Sequence, residues 1–91
     1  MQMTLMEFRF RDHHIKIVGG EWDGSEALYV DGELQSSRRN PFSRSGKFDV
    51  DLGADGVFQL EFKISLTDLQ VSYTLSQADQ IYLHDVTQAH S

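Results

Sequence analysis

The residues of this chain best suited to chemistry are its four histidines, at 13, 14, 84 and 90. His13-His14, with His84 or His90, could supply ligands to a metal. Neighbouring residues on a strand point to opposite faces, however, so one ring at most faces a given site. No carboxylate spacing completes the four-ligand set that zinc requires. The histidines therefore read as structural, and neither metal nor cofactor is expected. Asp49, Asp51 and Asp55 resemble part of a calcium loop, but the glycine it needs is misplaced and no glutamate closes it. Asp49 and Asp51 read instead as a solvated strand face that discourages edge pairing. No serine sits in a Gly-x-Ser-x-Gly elbow, and there is no cysteine. His84 and Asp85 are adjacent, which on a strand opposes their side chains. With no nucleophile–base pair, the chain is expected not to be an enzyme.

Binding surfaces are better represented. Arg38, Arg39, Arg44 and Lys47 form one basic cluster with Phe42 inside it. Basic residues interleaved with an aromatic can hold single-stranded nucleic acid. A formal net charge of −6 opposes that use. The plain reading is a solvated loop whose arginines pair with carboxylates. The functional reading is a docking site for a protein partner, since arginine is enriched at interfaces. Arg38, Arg39, Phe42 and Arg44 are therefore the candidate partner-binding residues. A second candidate is an aromatic platform for a sugar or other small ligand, built on Trp22 and Tyr29. Trp22 could equally fold back over an open end of the core. A core this small needs its large apolar residues, which favours that plug.

The elements that must position these groups follow from length and pattern. A chain of 91 residues has room for one domain and one core. A lone sheet would leave one apolar face wet, so a second layer is expected. An apolar content of 40% is too high for a disordered chain at this charge. The absence of cysteine excludes disulfides and leans towards a cytoplasmic location. Residues 1–11 do not form a signal peptide. No run approaches the roughly 18 apolar residues of a membrane span, and the net charge opposes an anionic membrane surface.

The dominant period is two, as on half-buried strands. Met6, Phe8 and Phe10 share one face, with Glu7, Arg9 and Arg11 on the other. Ile15 and Ile17 follow. Asp31-Gly32 between two strand-like runs predicts a hairpin with a type I′ turn. Residues 37–46 read as a loop or irregular edge around Pro41. Phe48, Val50 and Leu52 point inward, as do Phe58, Leu60, Phe62, Ile64 and Leu66. Leu69, Val71, Tyr73 and Leu75 repeat the pattern, and a last strand spans about 81–85. This predicts an all-β fold: a small antiparallel β-sandwich of about eight short strands, mostly meander hairpins. The ordered core is expected over about 4–85, with 86–91 a loose tail.

Two registers can be predicted. A turn at Thr67-Asp68 pairs Leu66 with Leu69, Ile64 with Val71 and Phe62 with Tyr73, so inward meets inward; a one-residue slip would break every match. Between Leu52 and Val57, a three-residue loop with Gly56 in or beside a bulge pairs Val50 with Phe58 and Phe48 with Leu60. It also sets Lys47 opposite Glu61, an attractive pair. The five-residue alternative would oppose Lys47 to Lys63 and Asp49 to Glu61, both repulsive.

On these residues the run over about 15–83 resembles the Fas apoptosis inhibitory molecule family. The resemblance rests on the Gly-containing loop after an early strand and on the Tyr29-Val30-Asp31-Gly32-Glu33 hairpin. A phenylalanine-bearing strand after an Arg-containing loop, and the Tyr73-Thr74-Leu75 strand, add to it. It implies a compact antiparallel β-sandwich that acts through protein contacts, without enzymatic activity or cofactor. The functional expectation is thus a protein-interaction module, working on a protein partner or as a homodimer, through the 38–47 loop and the edge strands. The alternative is a small-ligand or carbohydrate-binding module using Trp22 and Tyr29.

Overall fold

A computed structural model describes residues 2–20, 24–39, 45–65 and 67–90, with backbone only at Gln2 and Gly20. The alternating segments form eight strands: β1 (Gln2–Phe10), β2 (His13–Gly20), β3 (Ser25–Val30), β4 (Glu33–Arg39), β5 (Ser45–Asp51), β6 (Val57–Ile64), β7 (Gln70–Gln77) and β8 (Gln80–Gln88). They make two four-stranded antiparallel meanders, β1-β2-β3-β4 and β5-β6-β7-β8. The fold is an all-β sandwich. Ile15, Ile17 and Leu28 of the first sheet face Val50, Phe58, Leu60, Val71 and Leu75 of the second, all at 0% exposure. Alternation puts these residues on one face of each sheet, and two such faces bury each other.

Both predicted registers are present. Phe48 pairs with Leu60, Val50 with Phe58 and Lys47 with Glu61. Phe62 pairs with Tyr73 and Ile64 with Val71. The turn of the second hairpin differs from expectation. Ser65 N–H donates to the Gln70 carbonyl and Leu69 N–H to the Ser65 carbonyl, both at 2.8 Å. Leu69 takes a φ of 57° and is 38% exposed, so it does not face inward. Its expected partner Leu66 lies outside the described residues.

Three hairpins close with two residues at positive φ, as type I′ turns require: Arg11-Asp12, Asp31-Gly32 and Ala78-Asp79. Because the sheets are meanders, these turns and the 3-10 turn Gly53–Asp55 gather at one end of the sandwich.

Two boundaries and one bulge correct the sequence reading. β4 continues to Arg39 and β5 starts at Ser45, so Arg38 and Arg39 are strand residues rather than loop residues. A bulge between Thr4 and Met6 turns Leu5 inward as well as Met6, at 6% and 1% exposure. Residues 86–91 are not a loose tail as far as they are described. Val86, Thr87 and Gln88 pair with Ser72, Val71 and Gln70. Ala89 is buried and its N–H donates to the Leu69 carbonyl, while His90 exchanges both backbone hydrogen bonds with Thr4. This segment ties the second sheet to β1 of the first.

Candidate functional site

At the hairpin end, His13 opens β2 with its ring between two carboxylates. Nδ1 lies 2.9 Å from Asp31 Oδ2, and Nε2 lies 3.0 Å from Asp55 Oδ2. Asp31 also accepts the His14 N–H, at 2.8 Å. The Asp31 hydrogen bond, followed by that from Asp55, raises the His13 pKa above its ordinary value. The His14 N–H, followed by the His13 ring, holds the Asp31 carboxyl below the usual carboxylate range. Asp55 reaches Arg11 as well, at 3.9 Å. Arg11 was expected to point away from the apolar face of β1. The positive-φ turn swings it back, so that its guanidinium carbon stands 5.1 Å, 5.6 Å and 5.3 Å from the ring centres of Phe10, Phe58 and Tyr82. These three rings meet edge to face, and the cation closes that end of the core.

The opposite end is closed in the same way. Glu26 and Arg38 are direct cross-strand partners on the inward faces of β3 and β4. Arg38 Nε donates to Glu26 Oε1 at 3.0 Å, and Nη1 donates to the Lys47 carbonyl at 3.2 Å. The guanidinium lies 4.7 Å above the Phe48 ring. Nη2 is buried without a hydrogen-bond partner among the described residues, packed against Gly46 and the Phe62 ring. Burial pushes the Glu26 carboxyl up, against the opposing pull of Arg38. Arg38 therefore packs its guanidinium over Phe48 at the edge of the core while part of its side chain still faces the surface.

The remaining candidates separate. Arg39 is exposed at the end of β4. Trp22, Phe42 and Arg44 lie outside the described residues. Tyr29 is half-buried on the outer face of the first sheet, flanked by Lys16 and Leu34. The four histidines go to four places: His13 as above, His14 to Glu7 at 2.5 Å, His84 Nδ1 to Thr74 Oγ1 at 2.9 Å, and His90 through its backbone to Thr4. Asp49 is exposed, Asp51 accepts the Gly53 N–H, and Asp55 faces His13, so the three aspartates do not converge. Among the described residues, no group of three His, Asp or Glu side chains could hold a metal ion, and no helix is long and apolar enough to cross a membrane.

Two edges proposed as contact surfaces are partly closed by side chains. Gln35 of β4 donates to the Asp51 carbonyl at 2.9 Å and accepts the Asp51 N–H at 2.8 Å, so its amide stands in for a strand against β5. Asp85, on β8, takes the Val86 N–H at 2.8 Å. Both occupy backbone groups that an added strand would use.

One of the open surfaces is a shallow depression of about 540 Å³ beside the start of β5, lined by Arg38, Lys47, Glu61, Lys63, Ser72 and Thr74 among others. Among the described residues, the ion pair of Lys47 is a long, exposed one with Glu61, at 3.7 Å. Lys63 has no ion pair among the described residues. Sequence reasoning missed Lys63, which lies 16 positions beyond Lys47; the predicted β5–β6 register already set it across from residue 45. Compared with family models, curated proteins and solved structures, the chain matches none.

Proposed function

We propose that this chain is a non-enzymatic β-sandwich that works as a protein-interaction module and docks an acidic partner surface on its basic end. One observation carries the reading. Arg38 is committed to Glu26 and to the Lys47 carbonyl, whereas Lys47 and Lys63 stand with Glu61 around an open depression that Arg38 borders. Lysines set among the hydroxyls of Ser72 and Thr74 offer donors to carboxylates without a preformed catalytic geometry. The Fas apoptosis inhibitory molecule resemblance supports the same role, since that family acts through protein contacts. A cytoplasmic location belongs to this proposal. Attraction between a local positive surface and an acidic partner would set association rate and salt sensitivity more than tightness.

Charge reversal at Lys47 and Lys63 tests the reading. Both side chains are on the outer face, so the fold is expected to persist. Tagged wild type captures a partner from lysate that the Lys47→Glu/Lys63→Glu variant does not, and the wild-type complex weakens with added salt. Equal capture of the same protein by both forms would exclude this surface.

A further inference from the structure

At the hairpin end the two sheets are joined through one imidazole. His13 and Asp31 belong to the first sheet, and Asp55 to the turn between β5 and β6 of the second. An ionised carboxylate accepts hydrogen bonds and cannot donate them. Both His13 nitrogens face carboxylate oxygens, at 2.9 Å and 3.0 Å, so both contacts are hydrogen bonds only when the ring carries two protons. A neutral ring must turn a lone pair towards one of them.

The two carboxylates are held unequally. Asp31 has an independent anchor in the His14 N–H at 2.8 Å. The second hold on Asp55 is Arg11, at 3.9 Å. The Gly53–Asp55 turn contains no buried residue; Leu52 N–H to Gly56 O at 2.9 Å closes it, with Gly53 N–H to Asp51 Oδ1 at 2.9 Å, Gly56 N–H to Gly53 O at 3.0 Å and Asp55 N–H to Leu52 O at 3.3 Å, and none of these bonds holds the Asp55 carboxylate. Loss of one imidazole proton therefore releases Asp55 in preference to Asp31.

We propose that His13 is a proton-operated clasp between the two sheets, closed while its ring is doubly protonated and opened at Asp55 when one proton leaves. Opening frees the Gly53–Asp55 turn and exposes more of the depression of about 380 Å³ that His13, Val30, Leu34 and Leu52 line. It also removes the carboxylate that steadies Arg11 over Phe10, Phe58 and Tyr82.

The charges around the ring favour the proton. Asp31 and Asp55 contact it, Asp12 adjoins it in the β1–β2 turn, and Glu33 and Asp51 line the same depression. The cations on these elements act one step away: Arg9 on Asp31 and Arg11 on Asp55. His13 has its pKa raised, so the clasp's contribution is complete below the ordinary histidine range and is lost as pH rises through the raised value. Asp31 has its pKa lowered, so it stays ionised on the acid side and its contribution is lost only as pH falls through that lowered value. The clasp is closed on the acid side of the raised His13 value and opens as pH rises through it.

Nuclear magnetic resonance on the labelled chain reads this directly. The His13 ring should titrate above its midpoint in the denatured chain, and Asp55→Asn should lower that midpoint. The Asp55 and Gly56 amide signals should shift with the same midpoint as the ring in wild type, and lose that step in His13→Gln. A ring that titrates at or below its denatured midpoint overturns the proposal. So do Asp55 and Gly56 signals indifferent to the ring's titration. The wild-type titration alone decides this, even where a variant fails to fold.

Discussion

The Arg38 guanidinium occupies the space that a side chain at position 46 would need. A Cβ on Gly46 would collide with Arg38 Nη2 and stand 2.5 Å from Phe62 Cζ, in a ring that is 3% exposed. Arg38 can swing away at its flexible end, but Phe62 is held in the core. Gly46→Ala should therefore destabilise the domain by about 1–3 kcal/mol, the usual range for overpacking. Urea denaturation should show a lower midpoint with an unchanged slope. The Arg38→Ala/Gly46→Ala pair should show non-additive losses, because the two positions share one space. Additive losses would contradict the contact.

Turn chemistry leaves room for improvement. Ala78 holds a φ of 50° in the β7–β8 turn, a region that disfavours a Cβ by roughly 1–2 kcal/mol. Glycine removes that penalty but gives the unfolded chain more freedom, worth roughly 0.5–1 kcal/mol. Ala78→Gly should raise stability by about 0.5–1 kcal/mol, or a few degrees in Tm by the scaling of roughly 4–8 °C per kcal/mol. Gly32, at a φ of 84° with open space around it, is the mirror test. Gly32→Ala should lose about 0.5–1 kcal/mol, the backbone strain less the unfolded-state term.

Removal of residues 86–91 should destabilise the sandwich. It deletes three strand pairs with β7, the reciprocal Thr4–His90 bonds, the Ala89-to-Leu69 bond and a buried alanine. With a net hydrogen bond worth about 0.5–1.5 kcal/mol, the loss should be at least about 2 kcal/mol. A truncated chain that melts with the full one would contradict the tie between sheets.

Most of the fold was legible because alternation is a local signal. Phe48, Val50, Phe58 and Leu60 announce their own face, and the Lys47–Glu61 opposition chooses their register. What escaped was non-local or backbone-driven. Arg11 reads as a solvent-facing strand residue until its positive φ is known. Arg38 reads as one member of a basic loop, because nothing local says that Glu26, twelve residues earlier, lies directly across from it. The short polar tail gives no hint that Thr4 and the Leu69 carbonyl wait for it. The His13 bridge is equally distant in sequence, since Asp55 is 42 residues away.

The proposed function divides labour at the basic end: Arg38 packs over Phe48 at the edge of the core, and Lys47 with Lys63 is left to dock the proposed partner. Parallel melting and affinity capture of Arg38→Met and Lys47→Glu/Lys63→Glu test it most directly. Arg38→Met should melt lower, by about 2 kcal/mol for a hydrogen bond to a charged group, yet still capture the wild-type partner while folded. Lys47→Glu/Lys63→Glu should melt close to wild type and lose the partner. Undiminished capture by the lysine variant, or partner loss confined to a fully folded Arg38→Met, would contradict the account.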